Sequence, residues 1–219
     1  MPKFAVVMVT QGTRDTQAAA EASVRSQLPA GVDFHVIVDA TSNDNLTGWN
    51  ERIWEARLLA DFVAFVDDDD LVENDSIAVL QRCVNETGAD LAFTCERITT
   101  VYGRKHNLVD RMPHTTPTYA NIAEQSMATH HLAFFRTALV GQEVMDAHKA
   151  TGAPIDWLMR AAVASKGRAV HVPIVGYNWI RYPQGERKRT PAQAYLAGGK
   201  IALKWMAGKA NARAEVWNP

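Results

Sequence analysis

Four consecutive carboxylates, Asp67, Asp68, Asp69 and Asp70, follow directly on the apolar run Phe62, Val63, Ala64, Phe65 and Val66. Five β-branched, aromatic or small apolar residues in a row are what a strand buried on both faces requires, so the acids stand at a strand tip. Side chains alternate along an extended chain, which predicts that Asp67 and Asp69 project together while Asp68 and Asp70 point elsewhere. Two carboxylates aimed at one point repel, and a hard divalent cation such as Mg2+ or Mn2+ makes the arrangement favourable. Ligands of open α/β sheets bind at the carboxyl ends of the strands, so Asp69 and Asp67 are candidate metal ligands beside a phosphate site. The competing reading is a solvated turn in which Asp70 or Asn74 caps a helix beginning near Asp75.

The elements that must position this tip alternate. Residues 4–9 form a β-branched strand ending in the polar turn Thr10, Gln11, Gly12, Thr13 and Arg14. An alanine-rich helix is predicted over 15–28, stopped at Pro29, Ala30 and Gly31. A second strand over 34–38 ends at Asp39, before a dense turn cluster, and a helix over 49–60 leads to the acidic strand. This βαβαβ order favours a parallel sheet with right-handed crossovers, its strands ending on one edge. Beyond the acids come a helix over 74–86 with Gly88 as its stop, and a strand over 90–95. Residues 96–125 read as a hairpin and long loop. A strand within 127–135, a helix over 137–150 and a helix opened by Pro154 and Asp156 follow. Residues 169–180 read as one or two short strands broken at Pro173, and the chain closes with the basic loop 181–189 and a helix over 191–207.

At 219 residues and 47% hydrophobic content, one substantial core is expected without covalent staples. Cys83 and Cys95 have no metal-ligand spacing and read as buried thiols of a reducing compartment. A net charge of −1 argues against nucleic-acid binding through overall charge. No run approaches the roughly 20 apolar residues of a membrane span, and the start of the chain lacks a signal-peptide pattern, so a soluble cytoplasmic protein is expected.

In order and spacing these signals resemble glycosyltransferase family 2, over roughly residues 4–182. The pieces are Phe65 to Asp70 with the helix after Asn74, and Asp156, Trp157, Leu158, Met159 and Arg160 followed by Gly167 and the strands from Val170. The resemblance implies an α/β fold of GT-A type, a Rossmann-like three-layer α/β/α sandwich with a mixed, mostly parallel central sheet. It implies one domain over 1–219, with a nucleotide-sugar half (1–95), an acceptor half (96–182) and a basic loop with a C-terminal helix (183–219). The implied activity is metal-dependent, inverting hexosyl transfer from a nucleoside diphosphate sugar, a UDP-sugar first, to an acceptor hydroxyl. Mn2+ or Mg2+ on Asp69 and Asp67 would neutralise the leaving diphosphate.

Donor-binding positions implied by the same resemblance are Thr10, Gln11, Gly12, Thr13, Arg14, Asp39, Asn50, Arg52, Asp67 and Asp68, with Arg187 and Arg189 on the basic loop. Asp156 is the implied catalytic base, taking the acceptor proton opposite the leaving group; its bland counterpart is a helix-capping acid paired with Arg160. Two positions depart from the family pattern: Ile155 stands where Glu often precedes the base, and Tyr182 where many relatives carry His before the proline, here Pro183. Four cations in nine residues (Arg181, Arg187, Lys188, Arg189) offer a diphosphate lid or a contact for a polyanionic acceptor. His130 and His131 read as packed or surface residues, and Trp157 and Trp179 as core aromatics.

An aspartate-nucleophile phosphatase would carry its acids after the first strand and a later Gly-Asp pair, which are not found here. A nucleotidyltransferase would carry a glycine-rich basic loop after that strand. The alternatives kept are a catalytically silent sugar-, nucleotide- or nucleic-acid-binding module on the same fold, or a nucleotidyltransferase. The acceptor (glycan, protein, small molecule or modified nucleobase) and the oligomeric state are open at this level.

Overall fold

A computed structural model describes residues 1–39, 46–102, 105–111, 132–181, 199–201, 204, 207–209 and 213–219. The expectations for His130, His131, Tyr182, Pro183, Arg187, Lys188 and Arg189 lie outside these residues, as does most of the expected 191–207 helix, of which 199–201 and 204 are helical. In chain order the elements are β1 (Phe4–Thr10), α1 (Gln17–Arg25), β2 (Val32–Val38), α2 (Leu46–Ala56), β3 (Phe62–Val66), β4 (Leu71–Val72), α3 (Ser76–Thr87), β5 (Leu91–Tyr102), β6 (Lys105–Arg111), β7 (Ala133–Arg136), α4 (Gln142–Thr151), α5 (Ile155–Lys166), β8 (Ala169–Arg181) and β9 (Glu215–Val216). No helix of the described residues is long and apolar enough to cross a membrane.

The strands form one sheet in the order β2-β1-β3-β7-β5-β8-β4, with β6 added to β5 and β9 to β8. β1 pairs in parallel with β2 and β3, and β8 in parallel with β5 and β9, while β7 lies antiparallel between β3 and β5. Six of the nine strands (β1, β2, β3, β5, β8 and β9) therefore run one way, with β4, β6 and β7 opposed to them. The sheet is mixed and mostly parallel, as expected.

Alternation along the buried strands builds the two faces. Phe4, Val6, Met8, Phe62, Ala64 and Val66 pack against Ala20 and Val24 of α1 and Ile77, Leu80 and Val84 of α3. Ala5, Val7, Val9, Val63 and Phe65 pack against Ile53 of α2, Val144 of α4 and Leu158 of α5. The result is a three-layer α/β/α sandwich, in which each fully buried Val, Leu or Phe contributes roughly 1.5–3 kcal/mol. α5 is buried from Ile155 to Ala164, alanines included, so it is a core helix with no solvated stripe. Trp157 is 2% exposed within it, the core role expected for that residue. Both cysteines are buried free thiols.

Three elements depart from the sequence expectation. The strand expected over 90–95 continues to Tyr102, because its far half pairs with both β6 and β8. β8 is one 13-residue strand and is not broken at Pro173. Two steps along β5, Phe93 to Cys95, match four along β8, His171 to Val175, so the proline sits in a bulge, where its missing N–H costs no ladder bond. The short β4, unforeseen, pairs with Tyr177 and Asn178 of β8 and ties the acidic tip to the far side of the sheet. β8 approaches α3 closely at Gly176, where a Cβ would lie 2.6 Å from Thr94 Oγ1 and 2.7 Å from Ser76 Cβ.

His171, on β8 ahead of the bulge, is buried, stacks on Phe93 at 5.1 Å and lies with Nε2 3.2 Å from Cys95 Sγ. Burial pushes its imidazole from 6.5 down to about 4. The folded imidazole is thus neutral where the unfolded chain takes up a proton, so this stability is complete above 6.5 and is lost as pH falls toward about 4. Urea unfolding at about pH 7 and about pH 4.5 should cost the wild type roughly 2 kcal/mol more than it costs His171→Gln, which cannot titrate. Parallel losses in the two proteins would show that His171 is not the group responsible.

Candidate functional site

The extended run of β3 stops at Val66, and Asp68 and Asp69 form a turn before β4. That turn changes the expected geometry. Asp67, Asp69 and Asp70 each offer a carboxylate oxygen, and the three oxygens lie within 4.8 Å of one another. Asp68 is not in this group, whereas Asp70, expected elsewhere, is: alternation holds only while the backbone stays extended, and the extended run ends at Val66.

Asp70 is the most constrained of the four. It is 2% exposed, accepts the Tyr177 hydroxyl on Oδ2 at 2.9 Å, and accepts the Ile180 N–H on Oδ1 at 2.8 Å. The same Tyr177 oxygen accepts the Asp67 N–H at 3.0 Å, so one fully buried hydroxyl spans both ends of the turn. Burial, then the charges of Asp67 and Asp69, raise the Asp70 carboxyl well above the ordinary range, against the opposing pull of its two hydrogen bonds. Burial foremost also raises the Tyr177 phenol, so it stays protonated and donates. The caps considered from sequence are absent. Asp70 serves the turn, Asn74 Nδ2 donates to Val175 O at 2.7 Å, and Asp75 precedes α3 with no side-chain cap, at a left-handed φ of 52°.

The exit of β1 meets the acids from the other side. Thr10 Oγ1 donates to Asp68 Oδ2 at 2.7 Å and accepts the Gly12 N–H at 3.0 Å. Arg14 Nη1 lies 3.2 Å from Asp68 Oδ1 and forms a short ion pair with Asp69 Oδ2. Gln11, Gly12 and Thr13 are exposed around this contact, Gly12 at the left-handed φ of 74° that glycine adopts freely. Of the sequence candidates, Thr10, Arg14, Asp67, Asp68 and Asp69 thus converge.

Asp39 follows β2 on the same edge. It is buried, its N–H donates to Thr10 O at 2.8 Å, and its carboxylate lies against Gly48 of α2, where a Cβ would stand 2.5 Å from Oδ2. Asn50 is also buried, and its Oδ1 accepts the Ile155 N–H at 2.9 Å, which binds α2 to the first turn of α5. Arg52, on α2, is 42% exposed and paired with Glu55 at 2.7 Å.

Asp156, on the first turn of α5, is 4% exposed. Its Oδ2 accepts Arg160 Nη2 at 2.9 Å, and its Oδ1 has no hydrogen-bond partner among the described residues. Arg160 is 2% exposed, so the pairing anticipated as a surface arrangement is a buried one. α5 leads within two residues into β8, so its N-terminus lies toward the edge where the parallel strands end. The Asn50 bond to α2, which follows the C-terminal end of β2, sets it on the same side.

Sequence reasoning missed Asp70 as a member of the cluster and Tyr177 as its support. The one available signal was a tyrosine inside the otherwise apolar β8, since a buried Tyr hydroxyl usually has a partner.

No family model matches the chain, and no curated protein matches it in sequence. Solved structures do match it in fold. S. aureus TarS 1–349 in complex with UDP-GlcNAc superposes with a TM-score of 0.61 at 18% identity, covering 94% of this chain and 69% of that one. TarS 1–349 gives 0.54 at 19% identity over 81% of this chain and 60% of that one, and its UDP complex 0.51 at 17% over 94% and 65%. The chain thus spans between 60% and 69% of the length of these TarS chains. The architecture is the GT-A glycosyltransferase fold. TarS, at less than one-fifth identity, is a neighbour in fold.

Removing one member of a buried ion pair leaves the other charge uncompensated, typically at about 3–5 kcal/mol. Arg160→Leu should therefore destabilise the protein by roughly 3 kcal/mol in urea unfolding, and the double variant Asp156→Asn/Arg160→Leu should recover part of that loss. Strict additivity of the two substitutions would mean that the pair is not coupled.

Proposed function

We propose that this chain is a metal-dependent, inverting glycosyltransferase that moves a hexosyl group from a nucleoside diphosphate sugar, a UDP-sugar first among them, to an acceptor hydroxyl. The observation that carries the reading is the convergence of Asp67, Asp69 and Asp70 at the carboxyl edge of a GT-A sheet, beside the polar exit of β1. The UDP and UDP-GlcNAc complexes of TarS support a nucleotide-sugar donor by likeness of fold.

The donor set fits Mn2+ or Mg2+. Three carboxylate oxygens within 4.8 Å of one another are hard ligands of the kind these ions take. Asp69 and Asp67 would hold the ion, with Asp70 braced behind them by Tyr177 and Ile180. Bound there, the ion supplies neutralisation of the charge that grows on the departing diphosphate. Asp39 and the turn from Thr10 to Thr13 would bind base and ribose, and Arg14 the phosphates.

Asp156 would be the general base. Arg160 engages Oδ2 and orients the carboxylate, which leaves Oδ1 to take the acceptor proton. Asn50 would act through Asp156 as a positioning residue, since it fixes the backbone at Ile155. Arg187 and Arg189, outside the described residues, would complete the diphosphate contacts. Glycan, protein, small-molecule and modified-nucleobase hydroxyls are the acceptor classes to screen.

A donor-hydrolysis and transfer screen over several nucleotide sugars with Mn2+ tests the reading. Asp69→Ala should abolish turnover and weaken UDP binding in the presence of Mn2+. Asp156→Asn should keep UDP binding and lose transfer by about 100-fold or more, the usual worth of a general base. Equal activity in all three proteins would remove both assignments, and nucleotide binding without any turnover would indicate a silent binding module.

A further inference from the structure

Arg14 lies where a metal-bound donor would need the acids free. Its guanidinium bridges Asp68 Oδ1 and Asp69 Oδ2, and Asp69 is the foremost metal ligand in the reading above. The two acids are held differently. Asp68 is 6% exposed and anchored through Oδ2 by Thr10 at 2.7 Å, whereas Asp69 is paired through its Oδ2 to Arg14. Arg14 itself is about one-third exposed, on the turn after β1, with a long side chain able to change partners.

We infer that Arg14 is a built-in counter-cation that occupies Asp69 when no donor is bound and transfers to the donor's diphosphate when the metal takes Asp69, so that metal and nucleotide bind cooperatively. This rests on the metal-dependent reading and deepens it. Asp68 is the pivot: it is not among the clustered oxygens, it is fixed by Thr10, and it keeps its contact with Arg14 Nη1 when Asp69 gives up its own. The physical basis is charge balance. Four adjacent carboxylates at a buried strand end repel, and one guanidinium nitrogen, Arg14 Nη1, lies between two of them. A divalent ion arriving alone must displace that nitrogen from Asp69 and leave it with Asp68. An ion arriving with a diphosphate gives the guanidinium new anionic oxygens to pair with. The metal alone is thereby held weakly and the pair tightly, and linkage makes the coupling reciprocal.

The test is a direct Mn2+ titration of the full chain, read from the free-ion electron paramagnetic resonance signal, without UDP and with saturating UDP. It compares wild type, Arg14→Gln, Arg14→Lys and Asp69→Asn, with thermal melts to verify folding. Arg14→Gln should bind Mn2+ alone roughly three- to tenfold more tightly than wild type, as expected when a competing ion pair is removed. The tightening of Mn2+ by UDP should shrink by about tenfold in that variant. Arg14→Lys, which keeps the charge but not the guanidinium, should fall between, and carries the same test should the Gln variant not fold. Mn2+-alone affinity equal to or below wild type in the Arg14 variants would overturn the inference, because a plain diphosphate ligand predicts no change and a structural residue predicts a loss. If Asp69→Asn binds Mn2+ as wild type does, the metal reading itself falls and the inference with it. If Asp69→Asn loses the ion while the Arg14 variants match wild type, only the inference falls.

Discussion

Everything at the carboxyl edge of this sheet depends on holding four negative charges together at the end of a strand that is otherwise wholly apolar. Like charges in a partly buried turn repel and resist folding, so each acid needs its own compensation. The structure distributes it. Asp70 has a phenol and a backbone N–H, Asp68 a threonine hydroxyl, and Asp69 a guanidinium, while the Asp67 backbone is tied to the same phenol. Tyr177 matters most among these, since its single oxygen joins the first and last residues of the turn and comes from a strand more than a hundred residues away.

That dependence explains the construction of β8. A regular strand would meet β5 in one register throughout. The bulge around Val172, Pro173 and Ile174, with a second shift at Gly176, re-aims the chain so that Tyr177 and Asn178 reach β4 and the acidic turn. Gly176 is needed because α3 and β5 leave no room for a side chain there. The sheet distortion and the site are therefore one feature.

A second buried charge pair, Asp156 with Arg160, lies on a helix that is apolar all round, where every unpaired charge is expensive. Arg160 at i+4 is the nearest partner a helix can offer. Asn50 then anchors the start of that helix to α2. The two acidic centres differ in the compensation that each requires. The tip has an arginine that is one-third exposed, and the helix one that is buried.

Much of this was legible in the residues themselves. The apolar runs, the Gly88 helix stop and the alternation of strand and helix specified a βαβαβ start with its strands ending on one edge, because hydrophobic periodicity and turn chemistry are local properties of the chain. The acids after Phe62–Val66 were placed at a strand tip for the same reason. Which acids gather was decided only by tertiary structure: the turn after Val66 folds Asp70 back toward Asp67 and Asp69, and it is held there by Tyr177, a partner no local pattern could nominate. The same holds for Arg14 on Asp69 and Asn50 on Ile155, both contacts between segments far apart in sequence. Spacing along a chain records what neighbouring residues can do together, whereas the balance of buried charge is settled among residues that meet only once the sheet has formed.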